Sequence, residues 1–295
     1  MNSSPSELEQ FSNWTLKVGD GKLVEPNDGY VYIDIPTEFF IMDFDDPLQA
    51  IVQNTYPYFV MNYKNETSLQ SREILAGTIE IVDLINHYVL EFIPGEEKEY
   101  LSSDSVDTPD GDGNKAFDVL TPEFLNTLRT YVLPNHKIKL KIDTPIVLLR
   151  NIDQSEGKNI RGVIYITRMD ITHTQSSWPF KMIRRKFPII VCYAMTINKS
   201  QGQSLDYIGI YFPRNVFSHD QLYVAISRVK SKKGLKILIH DKENQPLEAT
   251  TNVIFKEVFE NVYKIFGISN KVSVKKNEVI PVEESVLCLG CYQIF

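Results

Sequence analysis

The chain has 295 residues, of which 43% are hydrophobic and 23% are charged. This length and balance are typical of a soluble globular protein of about two domains, and they exclude a disordered, collagen-like or disulfide-stapled chain. The longest apolar run, residues 187–197, is interrupted by Pro188 and is too short to span a bilayer, so we expect no membrane span. Residues 1–7 have neither a basic region nor an apolar run, so we expect no signal peptide.

The charges are distributed unevenly along the chain. The net charge is −7, yet residues 1–120 carry 23 acidic and 6 basic side chains, whereas residues 121–295 carry 15 acidic and 25 basic ones. A basic half beside an acidic half can indicate a polyanionic partner, and it can also be an unevenly charged solvated surface. Charge alone leaves both explanations open.

The first 60 residues predict loops and short strands, and residues 102–115, which are acidic and rich in turn formers, predict an exposed loop. Periodicity and turn residues predict four elements in this half: a strand over 30–36, a short helix over 49–56, a buried strand over 72–76 and an amphipathic helix through 81–89. Strands and helices therefore alternate before residue 90.

The second half begins with a short helix, for which Thr121 is the predicted N-cap and Pro122 the first helical residue. Further elements follow in chain order: a strand over 137–149, strands over 163–166 and 189–194, a helix over 221–229, a strand over 235–239, and an amphipathic helix over 255–266 that Thr251 and Asn252 cap. We expect the strands between 137 and 194 to form a small sheet or barrel.

The polar segment 196–205 (TINKSQGQSL) directly follows the apolar strand. Ligands of α/β sheets bind where strands end, and backbone N–H groups and hydroxyls at such a turn suit phosphate oxygens. Taken alone, the segment is also explained by an ordinary polar turn.

A second segment, QLYVAISRV over 221–229, places Arg228 near the end of an otherwise apolar helix, where a lone arginine is usually a snorkelling or ion-paired residue. Together, MTINKSQGQSL and QLYVAISRV resemble motifs V and VI of superfamily-one DNA helicases. The similarity is strongest to the Pif-one/RecD type, which includes plant and Helitron-like members, and it extends over roughly residues 11–260.

The resemblance implies an α/β fold built on a RecA-like second motor domain with a small inserted β-barrel domain. Its implied segments are a linker region over 1–60 after a first motor domain, the second RecA-like domain over 61–120 and 176–267, the inserted barrel over 121–175, and an unassigned tail over 268–295.

The resemblance also implies roles for seven residues in ATP-dependent DNA unwinding, with ATP and magnesium as cofactors. Arg228 would be an arginine finger that stabilises the transferring phosphoryl group, and Gly202 and Gln203 would lie near the nucleotide. The implied contacts to the backbone of single-stranded DNA are Thr196, Lys199, Ser200 and Gln201. The implied setting is the nucleus, or else the mitochondrion, in DNA repair, recombination and telomere maintenance.

A phosphate-binding loop of the form G-x-x-x-x-G-K-[ST] is missing from these 295 residues, and so is the Asp-Glu pair of a helicase magnesium site. We therefore expect the chain alone to be inactive as an ATPase and to need a first motor domain, which a separate chain could supply. The alternatives are a non-catalytic single-stranded nucleic-acid-binding remnant of a transposon-derived helicase, or a protein-interaction module that uses the acidic first 120 residues.

Two further clusters remain ambiguous. The basic run Lys181, Arg184, Arg185 and Lys186 is either a solvated face or a DNA-backbone contact. Cys288 and Cys291 form half a zinc site at best, and we assign no residue to a metal.

Overall fold

The computed structural model describes residues 4–23, 30–107, 120–128, 135–149, 165–172, 180–213, 220–247, 249–254 and 292–293. The chain divides into two compact units. Unit 1 comprises Met1–Tyr88 and Tyr193–Cys288, and unit 2 comprises Val89–Cys192 and Leu289–Phe295. The domain boundaries inferred from the family resemblance stay a prediction.

The described residues form a mixed α/β structure. The helices are α1 (Pro5–Gly19), α2 (Pro47–Thr55), α3 (Phe59–Asn62), α4 (Glu66–Gln70), α5 (Ile79–Glu91), α6 (Pro122–Thr127) and α7 (Gln221–Ile226). The strands are β1 (Tyr30–Asp34), β2 (Arg72–Ala76), β3 (Lys98–Leu101), β4 (Ser103–Asp107), β5 (Lys137–Leu140), β6 (Pro145–Leu148), β7 (Met169–Thr172), β8 (Lys181–Lys186), β9 (Ile189–Val191), β10 (Ala194–Thr196), β11 (Tyr207–Phe212), β12 (Leu235–Ile239), β13 (Ala249–Val253) and β14 (Tyr292–Gln293).

Unit 1 is built on a four-stranded parallel sheet in the order β10-β2-β11-β12. Parallel strands are usually covered on both faces, and these strands are accordingly rich in apolar residues. Leu75, Ile210 and Ile237 are fully buried in one apolar cluster at the centre of this sheet. The buried strand predicted over 72–76 and the strand predicted over 235–239 are both confirmed.

Helix α1 replaces the loops and short strands that were expected for residues 5–19, so that expectation was wrong there. Ser4 caps the helix: its hydroxyl accepts from Glu7 N at 3.2 Å, and Ser4 N donates to the Glu7 carboxylate at 2.9 Å. This reciprocal capping box is visible in the sequence as Ser-x-x-Glu and was the overlooked signal. Phe11 and Val18 bury the inner face of α1 in the core of unit 1.

Two apolar runs that periodicity treated as single strands are divided. The run 137–149 forms β5 and β6 on either side of a turn at Asp143, whose φ is 69°. The run 189–194 forms β9, which pairs with β6 in unit 2, and β10, which pairs with β2 in unit 1. Asn86 favours the break because its side-chain oxygen accepts from Tyr193 N at 3.0 Å and Ala194 N at 2.9 Å.

Other boundaries shift. Residues 103–107 form β4 instead of part of a loop, Tyr165 and Ile166 lie outside any strand, and the helix expected over 221–229 ends as α7 at Ile226. Thr251 and Asn252 lie in β13 and do not cap a helix.

Some predictions fall outside the described residues. They concern the helix over 255–266, the loop residues 108–115, the strand residues Val163 and Ile164, and the Cys288–Cys291 pair. The predicted cap at Thr121 is confirmed, since its hydroxyl accepts from Phe124 N at 3.3 Å.

Unit 2 contains small antiparallel sheets within its described residues: β3-β5, β4-β8-β7 and β14-β6-β9. Its apolar clusters are correspondingly small. One includes Ile138, Ile146 and Ile189, and another includes Leu125 and Met182. None of the helices within the described ranges is long and apolar enough to cross a membrane.

Candidate functional site

The polar segment after β10 is a crossover between parallel strands. β10 and β11 both run parallel to β2, so residues 197–206 carry the chain from the carboxyl end of β10 back to the amino end of β11. Thr196 therefore lies at the carboxyl edge of the sheet, whereas Leu205 already pairs with Val229 beside the start of β11. The segment does not remain at the carboxyl edge, where we had expected all of it.

A type II turn forms the middle of this crossover. Gln201 has φ −58° and ψ 135°, Gly202 has φ 85°, and Gln203 N donates to Ser200 O at 3.1 Å. The third residue of a type II turn needs a positive φ, which glycine adopts without steric cost. Gly202 is exposed, and a side chain built there would meet no atom within 4 Å, so the backbone angle alone requires glycine.

Arg228 lies two residues beyond the end of α7 and is held against the crossover. Its Nη1 donates to Gln203 O at 3.3 Å, its Nε donates to Val224 O at 3.1 Å, and its Nη2 donates to Ser227 Oγ at 2.8 Å. Leu205 N also donates to Arg228 O at 2.9 Å. Two segments that are 25 residues apart are thereby joined through both side chain and backbone.

The guanidinium of Arg228 is half-buried. Burial lowers its pKa from the ordinary arginine value, and the nearby Tyr223 opposes that shift. An arginine side chain nevertheless keeps its charge at neutral pH. The structure thus brings Gln203 and Arg228, the two residues predicted to lie on the nucleotide side, into direct contact. The guanidinium of Arg228 is the cation at this place.

The predicted DNA-side residues divide into exposed and buried members. Lys199 and Gln201 are exposed, and Thr196 is half-buried. Although Lys199 is exposed as a whole residue, its ammonium is partly desolvated by neighbouring atoms, which lowers its pKa, while Asp83 in α5 acts in the opposite direction. Lys199 therefore stands near the first turns of the helix that follows β2.

Ser200 is fully buried, and its hydroxyl donates to Ile197 O at 2.7 Å. This side chain stabilises the crossover from within and does not present its hydroxyl to solvent. A phosphate contact at Ser200 would have to use backbone atoms, which the residue pattern alone could not reveal.

Two residues that the sequence analysis did not single out also lie here. The Gln221 side chain, at the first residue of α7, is buried and donates to Gly77 O at 3.4 Å, just after β2. Tyr223 is half-buried and lies close enough to Arg228 to influence its pKa. Their polar side chains in an otherwise apolar helical segment were the available signal.

The basic run in β8 is engaged within unit 2. Arg184 is fully buried and binds Asp104 through its Nη2 at 2.7 Å and its Nε at 3.1 Å. Lys186 is buried and donates to Asn135 O at 2.6 Å, while Lys181 and Arg185 form exposed pairs with acidic side chains of β4 and β7. Neither a solvated face nor a DNA contact describes the two buried cations.

Within the residues that the structure describes, no group of three or more His, Cys, Asp or Glu side chains is placed to hold a metal ion. The implied magnesium therefore has no carboxylate cluster to bind in that part of the chain.

Comparison with known proteins shows that the chain is similar to parts of Pif1 helicases. The family model "DNA helicase Pif1, 2B domain" matches residues 123–159. The chain is 26% identical over 219 residues to ATP-dependent DNA helicase PIF1 of Xenopus laevis, a match that covers 67% of this chain and 31% of that protein. It is 31% identical over 102 residues to the Saccharomyces cerevisiae protein of the same name, covering 33% of this chain and 12% of the yeast protein.

Among solved structures, the crystal structure of Bacteroides Pif1 bound to ssDNA aligns with a TM-score of 0.51 at 17% identity, covering 90% of this chain and 55% of that one. This likeness supports a shared mixed α/β fold. The chain spans 31% of the length of the Xenopus relative and 26% of the human one.

Proposed function

We propose that this chain corresponds to the carboxy-terminal part of a Pif1-type helicase and supplies the second motor domain of an ATP-dependent DNA helicase. The match of residues 123–159 to the Pif1 2B domain and the similarity to the Xenopus relative support this proposal. The curated relatives carry that activity in their names, and the present chain aligns with one portion of them. The phosphate loop and the magnesium carboxylate are assigned to a first motor domain outside these 295 residues, either upstream or on a separate chain.

One observation carries the proposal: Arg228 is tied to the crossover turn through Gln203 O. Motors of this class place ATP between two RecA-like domains, and the second domain contributes an arginine that stabilises charge on the transferring phosphoryl group. Arg228 is a fixed, half-buried cation next to the exposed turn at Gly202, which suits an anionic ligand. ATP would supply the phosphoryl group, and Arg228, Gly202 and Gln203 would form this chain's side of its site.

The proposed DNA surface consists of Thr196, Lys199 and Gln201, with Ser200 contributing through its backbone. Lys199 and Gln201 are exposed beside the carboxyl edge of the parallel sheet. Contacts of this kind bind phosphates and carry no base specificity. Single-stranded DNA is the proposed partner, in agreement with the named ligand of the Bacteroides structure.

The match to the Pif1 2B domain over 123–159 supports the further proposal that residues 121–175 form a small inserted β-barrel domain. We place the protein in the nucleus, with the mitochondrion as the alternative, and in DNA repair, recombination and telomere maintenance. These assignments rest on the family and not on a particular side chain.

The catalytic assignment is tested in a polypeptide that joins the first motor domain of a Pif1-type helicase to this chain. Arg228→Ala should reduce DNA-stimulated phosphate release by about 10³-fold or more, and Arg228→Lys should restore little, because an ammonium does not reproduce the planar fork of arginine. Folding and DNA affinity should stay near wild type. An unchanged turnover number in Arg228→Ala would exclude the finger role.

The DNA assignment is tested on the 295-residue chain by titrating a labelled single-stranded oligonucleotide at several salt concentrations. Lys199→Ala should weaken binding and reduce the slope of log K against log salt by about 0.7, the value for one phosphate contact on a single strand. Lys181→Ala is the matched control, because Lys181 is already paired with Asp107 at 2.7 Å. DNA binding without Arg228-dependent hydrolysis would favour the non-catalytic remnant.

A further inference from the structure

Helix α1 packs directly against α7, the helix that precedes Arg228. The contact is closest at Gly19, the last residue of α1. A Cβ atom built on Gly19 would lie 2.7 Å from Cδ2 and 2.9 Å from Cγ of the Tyr223 ring. Ordinary van der Waals contact requires more than 3.4 Å, so only glycine lets the ring occupy its present position.

Gly19 has helical backbone angles, so this position does not need glycine for its conformational freedom. Glycine inside a helix is less favourable than alanine by about 1 kcal/mol. The close approach of the Tyr223 ring is the physical reason for a glycine at this position.

Tyr223 is also connected to Arg228 through the backbone of α7, since Arg228 Nε donates to the carbonyl oxygen of the next residue, Val224, at 3.1 Å. Tyr223 O also accepts the backbone N–H of Ser227 at 2.9 Å, and Ser227 Oγ in turn accepts from Arg228 Nη2. Tyr223 therefore connects the end of α1, which its ring contacts, with the segment that holds the guanidinium, which its backbone contacts.

Helix α1 is itself anchored firmly enough to act as a fixed support. Asn252 Nδ2 in β13 donates to Val18 O at 2.9 Å, one residue before Gly19. Phe11 and Trp14 contact the Phe39 ring at centroid distances of 6.0 and 5.4 Å. Glu7 lies 3.8 Å from Lys232, on the segment that leads into β12.

We propose that Gly19 and Tyr223 are positioning residues: helix α1 sets, through the Tyr223 ring, where the Arg228 guanidinium lies. The catalytic meaning of this contact rests on the function proposed above for Arg228, whereas the contact itself does not. Residues 5–19 then form an integral part of the site, and a movement of the chain before α1 would be transmitted to the arginine.

The experiment follows the Arg228 Nε–H group in the ¹⁵N-labelled 295-residue chain. Its NMR signal is identified by its loss in Arg228→Lys. In the wild type, Nε donates to Val224 O, so its hydrogen exchange should be slower than that of the exposed Arg185. Gly19→Ala should shift the signal and accelerate exchange by about three- to tenfold, the range expected when one part-buried hydrogen bond is weakened.

A double-mutant cycle gives the decisive comparison. In a Tyr223→Ala background the added methyl group meets no ring, so Gly19→Ala should leave the Arg228 signal and its exchange rate unchanged. Ser12→Ala, on an exposed position of α1, is the control and should change neither. Equal effects of Gly19→Ala in both backgrounds, or no effect in either, would overturn the proposal.

If Gly19→Ala does not fold, Tyr223→Leu decides the question, because it removes the ring that contacts Gly19. A shifted Arg228 signal in a folded Tyr223→Leu chain supports the positioning role, and an unshifted signal refutes it. Tyr223→Phe keeps the ring against Gly19 and is the matched control, so it should leave the signal unchanged. Because these measurements need no ATP, they can succeed even where Arg228→Ala leaves hydrolysis intact, which separates this inference from the proposed function.

Discussion

Units 1 and 2 are stabilised by different means. Unit 1 is organised around a parallel sheet whose strands carry fully buried apolar side chains such as Leu75 and Ile210. Among the described residues of unit 2, the apolar clusters are small, and the largest fully buried side chain is that of Arg184, paired with Asp104. A small domain with little apolar area to bury depends more on each polar contact.

This comparison explains much of the uneven charge along the chain. Within the described residues of unit 2, acidic strands from before residue 120 pair with basic strands from after it. These pairs are Glu97–Lys139, Glu99–Lys137, Asp104–Arg184 and Asp107–Lys181. The basic second half therefore has an intramolecular partner for several of its cations, and its charge alone is not evidence for DNA.

The largest effect is expected from Asp104→Ala. Removing one partner of a buried ion pair leaves Arg184 charged and unpaired, which costs about 3–5 kcal/mol of stability. Hydrogen exchange of unit 2 amides should accelerate, while amides of β11 in unit 1 should keep their protection. The double variant Asp104→Leu/Arg184→Leu should recover most of the loss, and an equal loss of protection in both units would contradict the comparison.

Gly202→Ala tests unit 1 at a place where packing is irrelevant. The added methyl group has free space but is strained at φ 85°, so the free energy of unfolding of unit 1 should fall by about 1–2 kcal/mol. Gly202→Asn should lose less, since asparagine tolerates positive φ better than alanine. Urea denaturation followed by exchange in β11 peptides measures both. Equal losses in the two variants would show that a factor other than φ is responsible.

The smallest effect concerns the pH dependence of unit 2. The pKa of His136 lies below its ordinary value of 6.5 because burial disfavours the charged form; Asp104 opposes this, while Arg184, Lys186 and Lys137 reinforce it. The unfolded chain then binds the proton more readily, so the stability from this group is present above about pH 6.5 and declines as the pH falls below it.

Ser102 makes that cluster compact, since its hydroxyl lies 2.6 Å from an Asp104 oxygen and 2.7 Å from His136 Nδ1. His136→Gln should flatten the decline of unit 2 stability between pH 7.5 and 5.5, as measured by urea midpoints. A wild-type midpoint that rises on acidification, relative to His136→Gln, would have the wrong sign for this explanation.

Elements that depend on interactions between neighbouring residues could be predicted from the sequence alone. The apolar run of β2, the Thr121 cap of α6 and the glycine at the type II turn are each readable within a few neighbouring residues. The capping box at Ser4 was equally readable and was missed, which shows that a cap can outweigh weak periodicity. The two motif segments were also recognised from their residues alone.

Features that depend on residues far apart in the sequence could be identified only from the tertiary structure. Arg184 finds Asp104 eighty positions away, Ser200 turns inward, and the run 189–194 contributes strands to two different units. Hydrophobic periodicity predicts which side chains become buried, but it does not predict which residues they pack against. The reason is that the hydrophobic effect is non-directional, whereas an ion pair or a strand register needs a defined partner. For the same reason, the sequence identifies Arg228 as a candidate, but only the fold shows that Gly19, more than 200 positions earlier, leaves the space for Tyr223.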